Sequence, residues 1–302
     1  MLKSKVCLGI VLNLVAAVLF AQPQFEITNA SSVEVYKTID DIELKAWIFN
    51  PPNHDVENKS PAIVFFFGGG WMRGHPIQFA RHAEYLAARG MVAILVDYRV
   101  FDRHGVKAHI CVADAKSSIR WMRKNADRLG IDVNRIVASG GSAGGHLAAS
   151  TATLPGLDDP MDDLSISAVP NALALFNPVV VLSQVEGVDG LTSEFLQNIE
   201  ERMGVPLQSI SPYHHIEKGT VPTIIFHGTA DNVVTFESVK LYDKAMDSFG
   251  NHSVLIGYEG EGHGFFNVRK KNNGPYIDTM NKLDAFLVEI GFLDSPPSHM
   301  AY

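Results

Sequence analysis

Cysteine is nearly absent from this chain, with only Cys7 and Cys111 among 302 residues. A disulfide framework is thereby excluded, and the fold must rest on its own apolar core. Cys111, between Ile110 and Val112 on an expected helix, reads as a small buried apolar residue. An excess of positive charge is also lacking. The chain carries 25 basic and 33 acidic residues, a net charge of −8. Phosphate binding needs basic patches, so this balance argues against nucleic acid as a partner. No internal repeat or low-complexity segment is visible, and one long domain accommodates the length.

Long hydrophobic runs are scarce too. The longest spans Val6 to Phe20 behind Lys3 and Lys5, interrupted by Gly9 and Asn13. It falls short of the roughly 20 residues a membrane span needs. A positive start, a short apolar stretch, and Leu19 and Ala21 at its end before Gln22-Pro23 describe a signal peptide over residues 1–21. The alternative is an uncleaved N-terminal anchor. A lipoprotein is excluded, because Cys7 lies inside the apolar run rather than at the cleavage point. The expected location is secreted or periplasmic, with residues 22–302 forming a single domain.

What is present is an alternation of strands and helices. Val33 to Ile39 and Ile42 to Phe49 are separated only by Asp40 and Asp41, a connection that permits only antiparallel pairing. Continuous apolar runs at Ala62 to Phe67 and Val92 to Val96 mark strands covered on both faces. Arg135 to Ser139, Ala172 to Phe176, Thr223 to Phe226 and Val254 to Tyr258 complete the strands. Helices are expected over Ile77 to Arg89, Lys107 to Leu129, Ala143 to Thr153, Phe236 to Phe249 and Ile277 to Ile290. The pattern specifies an α/β fold with a mostly parallel sheet and helices on both faces. Two polar stretches interrupt it, Pro155 to Pro170 and Ser183 to Pro212, the second with a short helix around Ser193 to Met203. Both read as cap-like insertions beside the strand ends where ligands bind.

Gly140-Gly141-Ser142-Ala143-Gly144 matches G-x-S-x-G between a strand and a helix. The sharp turn lifts the serine hydroxyl above the sheet, and Ser142 is the candidate nucleophile. A serine needs a base to remove its proton. His227-Gly-Thr-Ala-Asp231 and Gly260-Glu-Gly-His263-Gly264 each follow a buried strand, on the same edge as Ser142. His263 is the candidate base and Asp231 its orienting acid, in the chain order Ser, Asp, His. Glu261 and Glu237 are weaker candidates for the acid. Phe67-Gly-Gly-Gly-Trp71 closes the first buried strand. Its Gly69 and Gly70 N–H groups, with that of Ala143, are the candidate oxyanion hole. Trp71 is assigned to substrate contact. His227 reads as capping a strand end.

These motifs, with Val96-Asp-Tyr-Arg99, Asp114, Arg120-Trp121, Gly130-Ile-Asp132 and Ser211-Pro212, resemble the α/β-hydrolases of the hormone-sensitive-lipase-like and bacterial acyl-carbohydrate esterase group. The resemblance implies the α/β-hydrolase fold and a serine carboxylesterase that uses no metal and no cofactor. It also implies that Asp97, Arg99 and Asp114 are structural. In that group the oxyanion loop usually begins with His, where this chain has Phe67, which points to the acetyl-xylan and feruloyl esterase side. A short acyl ester, acetyl first, on a small molecule or polysaccharide is the expected substrate. Two other readings use the same fold: a prolyl-oligopeptidase-like peptidase and a non-catalytic binding protein. The peptidases usually carry a large N-terminal domain, whereas only Gln22 to Pro61 precedes the first buried strand. An intact set of motifs argues against the binding protein. The Asp158, Asp159, Asp162 and Asp163 cluster matches no calcium loop and reads as a solvated acidic loop.

Overall fold

A computed structural model of the protein describes residues 26–186 and 199–295. The signal peptide expected at 1–21 and most of the helix expected around Ser193 to Met203 lie outside the described residues. No described helix is long and apolar enough to cross a membrane.

Eight strands form one sheet: β1 (Ser32–Ile39), β2 (Ile42–Phe49), β3 (Ser60–Phe66), β4 (Val92–Val96), β5 (Ile131–Gly141), β6 (Ala172–Phe176), β7 (Thr223–Gly228) and β8 (Ser253–Tyr258). Their order is β1-β2-β4-β3-β5-β6-β7-β8. β1 and β2 pair antiparallel through the Asp40-Asp41 turn, and β2 pairs antiparallel with β4. All other pairs are parallel.

The helices are α1 (Ala80–Ala88), α2 (Phe101–His104), α3 (Ala108–Lys124), α4 (Ala126–Leu129), α5 (Ala143–Thr153), α6 (Glu200–Met203), α7 (Phe236–Ser248) and α8 (Gly274–Glu289). Side chains alternate across a strand, so each buried strand feeds two cores. Ala62, Val64 and Phe66 of β3 face the core shared with α3, α5 and α7. Ile63 and Phe65 face the core shared with α1 and α8. This double burial explains why β3, β4 and β6 read as uninterrupted apolar runs.

Three features differ from the sequence reading. The long helix expected over Lys107 to Leu129 breaks at Asn125, which leaves helical geometry (φ −105°, ψ 13°) while its Nδ2 donates to Trp121 O at 2.9 Å. β5 starts four residues before Arg135, because Ser60 pairs with Ile131 across a bulge. The helical turn α2, unexpected from the sequence, closes on Gly105 in the left-handed conformation.

The chain passes from β3 out to β4 and returns to β5 on the other side of β3. Loops leaving the carboxyl ends of β3 and β5 therefore diverge and open a crevice, the usual ligand position in such sheets. The insertion Pro155 to Pro170 begins and ends at the opposite edge, contrary to the expectation. α5 starts at the carboxyl edge and carries the chain back to the opposite one, where Asn171 N–H meets Ile136 O at 2.7 Å. Between these two points the acidic loop runs along α3 and β1, where it is neutralised by cations. Asp158 pairs with Arg120 at 2.6 Å, Asp162 with Arg120 at 2.9 Å, and Asp159 with Lys37 at 2.7 Å. Among the described residues no cluster of His, Cys, Asp and Glu has an arrangement that could hold a metal ion.

Candidate active site

The nucleophile turn is built by close packing. Ser142 has φ 55° and ψ −120°, a strained conformation for a residue with a side chain. Strain of this kind costs about 1–3 kcal/mol and persists only where neighbours enforce it. Here Ser142 N–H donates to Phe176 O at 2.9 Å, and Ser142 O accepts His146 N–H at 3.0 Å. Gly144 sits so close to β3 that a Cβ there would lie 2.0 Å from Phe66 O. Only glycine allows α5 to start this near the sheet.

Ser142, His263 and Asp231 come together at the carboxyl edge from three separate loops. Ser142 Oγ lies 2.9 Å from His263 Nε2, and His263 Nδ1 lies 2.7 Å from Asp231 Oδ2. A carboxylate only accepts, so Nδ1 carries the proton and Nε2 is free to accept from the serine. The His263 side chain is about a quarter exposed, and the Asp231 side chain is fully buried. Neither weaker candidate acid takes part: Glu261 pairs with Arg269 at 3.3 Å and Glu237 with Lys240 at 2.9 Å.

Asp231 is saturated with donors. Its Oδ1 accepts Val233 N–H at 2.9 Å and Val234 N–H at 3.0 Å. Its Oδ2 also accepts Asn177 Nδ2–H at 2.6 Å. His227, at 0% exposure, shares its Nε2–H between Val234 O at 2.9 Å and Asp231 Oδ2 at 3.3 Å. Burial alone would raise the carboxyl pKa. Hydrogen bonds from His227 and His263, then from Val234 N–H, more than offset it and hold Asp231 far below the usual carboxylate range.

The glycine loop lies against the nucleophile turn. A Cβ on Gly68 would meet Gly141 O at 2.9 Å and Ser142 Cβ at 3.4 Å. Gln78 Oε1 accepts Gly68 N–H at 2.7 Å, and Met72 and Arg73 N–H both return to Gly69 O. The N–H groups of Gly69, Gly70 and Ala143 have no acceptor among the described residues. Gly69 has φ 128°, and a Cβ there would lie 2.0 Å from Arg73 O.

Trp71 does not line the crevice, which corrects its assignment to substrate contact. Its side chain is 1% exposed. Left-handed backbone at Trp71 (φ 60°) turns the ring beneath the loop. There Nε1 donates to His146 Nδ1 at 3.2 Å, with the rings in a T-shaped contact. His146 Nε2 in turn donates to Ile210 O at 2.8 Å. Phe67 is equally buried. It stacks on Tyr98 with centroids 4.0 Å apart, and Tyr98 OH donates to Phe67 O at 2.6 Å. The loop is thus braced by aromatic packing at the position where related loops usually carry His.

Sequence reasoning missed four supporting residues: Asn177, His227 as a partner of Asp231, Gln78 and His146. Asn177 did carry a signal. It directly follows an expected strand, and Asn tolerates the left-handed backbone (φ 43°) found there. Gln78 and His146 act through partners 10 and 75 residues away, whereas His227 lies four residues before Asp231. The remaining expectations at structural positions fit the geometry. Asp114 is fully buried and receives Arg99 Nε at 2.8 Å, Arg99 Nη2 at 2.7 Å and Lys37 Nζ at 2.8 Å. Cys111 is buried, with Sγ donating to Arg99 O at 3.1 Å.

This architecture is shared with known proteins. The BD-FAE family model matches residues 48–246. Esterase LipC of Mycobacterium tuberculosis is 30% identical over 245 residues, which cover 76% of this chain and 59% of that protein. Isoprenylcysteine alpha-carbonyl methylesterase ICME of Arabidopsis thaliana is 26% identical over 230 residues, covering 72% and 52% respectively. The chain thus spans about half the length of these curated relatives. Among solved structures, the apo form of Thermogutta terrifontis esterase 2 is 51% identical with a TM-score of 0.84, covering 90% of this chain and 98% of that one. Its butyrate-bound form is 50% identical with a TM-score of 0.85 and the same coverage. The chain belongs to the BD-FAE family and is an α/β-hydrolase of the serine esterase type.

Proposed function

We propose that the protein hydrolyses carboxylic esters through an acyl-serine intermediate on Ser142. The observation that carries this reading is the chain of hydrogen bonds from Ser142 Oγ through His263 to Asp231, set beside three backbone N–H groups that have no acceptor among the described residues. In the first step His263 Nε2 takes the serine proton as Oγ attacks the ester carbonyl. The carbonyl oxygen becomes an oxyanion held by the N–H groups of Gly69, Gly70 and Ala143. His263 then delivers the proton to the leaving alkoxide, and the alcohol departs. Water, deprotonated by the same imidazole, attacks the acyl-serine and releases the acid. Asp231 stays ionised throughout and holds Nδ1–H in place. No step calls for a metal or cofactor.

Short acyl groups, acetyl first, are the proposed substrates. A solved relative has been crystallised with butyrate, and the insertions at 155–170 and 183–212 are polar rather than lipase-like. An acylated polysaccharide is the proposed natural partner, reached by export through the leader at 1–21. The test is a chain-length series of p-nitrophenyl esters, alongside acetylated xylan and a Pro-containing peptide anilide. The reading requires kcat/KM to be greatest for the acetyl to butyryl esters, with acetate released from the xylan. Faster cleavage of the anilide would point to a peptidase, and no turnover of any substrate to a binding protein.

A further inference from the structure

The turn after β6 touches both ends of the catalytic chain. Phe176 O accepts Ser142 N–H at 2.9 Å, and Val179 N–H reaches Ser142 O at 3.4 Å. Between these residues, Asn177 donates from Nδ2 to Asp231 Oδ2 at 2.6 Å. Asn177 is fully buried, and its own N–H donates to Phe226 O at 2.9 Å. Its Oδ1 has no partner among the described residues. Leaving a buried acceptor unpaired costs about 1–3 kcal/mol. The side chain bears that cost while its NH2 meets the carboxylate.

We propose that Asn177 is a positioning residue that couples the nucleophile turn to Asp231 and sets the acid limit of activity. The proposal rests on the serine esterase reading. Asp231 Oδ2 is the oxygen that holds His263 Nδ1–H. A second N–H on the same oxygen lowers its affinity for protons, so the proton gained from Ser142 stays on His263 for delivery to the leaving group. The titratable groups facing Asp231 are His263, from the loop after β8, and His227, at the end of β7. Asn177 adds a donor without charge. The residue type is constrained twice, since the backbone is left-handed and the side chain must donate. Glycine satisfies the first demand alone. Aspartate keeps the shape and, of the residues tolerant of this backbone, reverses the donor.

Asn177→Gly and Asn177→Asp therefore separate backbone from side chain. With the donor gone, Oδ2 holds the imidazolium more tightly. Asn177→Gly should lower kcat by about 10- to 100-fold, the worth of one charge-assisted hydrogen bond. KM should stay within about twofold, because ground-state binding is untouched. The acid limb of the kcat/KM profile should move to higher pH. Asn177→Asp should recover activity on the acid side, where its carboxyl keeps a proton to donate, and lose it as that proton leaves. An acid limb unmoved in Asn177→Gly overturns the proposal and leaves a structural role. Failure of both variants to fold does so as well. Fluorophosphonate labelling of Ser142 in the unaltered protein tests the underlying reading separately: its absence sinks the esterase, whereas labelling with an unmoved limb sinks only Asn177.

Discussion

Trp71 Nε1 donates to His146 Nδ1 across 3.2 Å, joining the glycine loop to the helix that begins at the nucleophile. Both side chains are buried, so neither has water as an alternative partner. Trp71→Phe keeps an aromatic ring but leaves His146 Nδ1 unpaired. Stability should fall by about 1–3 kcal/mol, the usual cost of an orphaned buried polar group. Activity should fall with it through kcat, since the loop carries candidate oxyanion donors and Trp71 does not reach substrate. Urea denaturation and the split between kcat and KM check both halves.

Gly69 has φ 128° and faces Arg73 O at a distance no Cβ tolerates. Gly69→Ala must shift the loop and its N–H groups. Losing one oxyanion donor costs about 100- to 1,000-fold in kcat. Steady-state kinetics on p-nitrophenyl acetate should show a loss of that order, with fluorophosphonate labelling slowed rather than abolished.

Acid should weaken the fold above the range where carboxylates titrate. His82 is fully buried among Phe79, Phe176 and Tyr276, where burial outweighs a backbone interaction with Phe266. Burial pushes its pKa down to about 3, and that of His146 down to about 4. Both folded values lie below the unfolded value near 6.5. The unfolded chain therefore binds more protons, and stability is full above about pH 6.5 and falls as the pH drops toward 4 and 3. Each group contributes a slope of up to about 1.4 kcal/mol per pH unit. Denaturation midpoints measured from pH 7 to pH 5 should show the decline, and His82→Leu should make it shallower.

Asp114 should matter to stability and not to chemistry. It binds Arg99 and Lys37 in the interior and touches none of Ser142, Asp231 and His263. Asp114→Ala removes the bidentate partner of Arg99 and leaves Asp159 to face both cations. Breaking such a buried pair costs about 3–5 kcal/mol. The variant should melt early, while kcat of its folded fraction matches the parent protein below the transition.

The candidate catalytic side chains are legible in the sequence because each sits in a short motif directly after a buried strand. Strand parity and a parallel sheet then place Ser142, Asp231 and His263 on one edge. The supporting contacts are less legible because they depend on distant pairings. Nothing local shows that Gln78 receives Gly68 N–H or that Asn177 reaches Asp231. Trp71 was misread for a related reason. Adjacency to the oxyanion glycines suggests contact with substrate, but a left-handed backbone at Trp71 points the ring away from the crevice. The placement of 155–170 failed on topology, since a helix starting at the carboxyl edge must deliver the next loop to the opposite edge.

The central claim is that the ester's acyl group passes through Ser142. Rapid acid quenching of turnover with p-nitrophenyl acetate, followed by peptide mass analysis, tests it most directly. The account predicts one acetyl group on the peptide containing Ser142, absent in Ser142→Ala and lost on continued incubation of the unaltered protein. Undiminished turnover in Ser142→Ala, or acetyl trapped on another residue in its place, would contradict it.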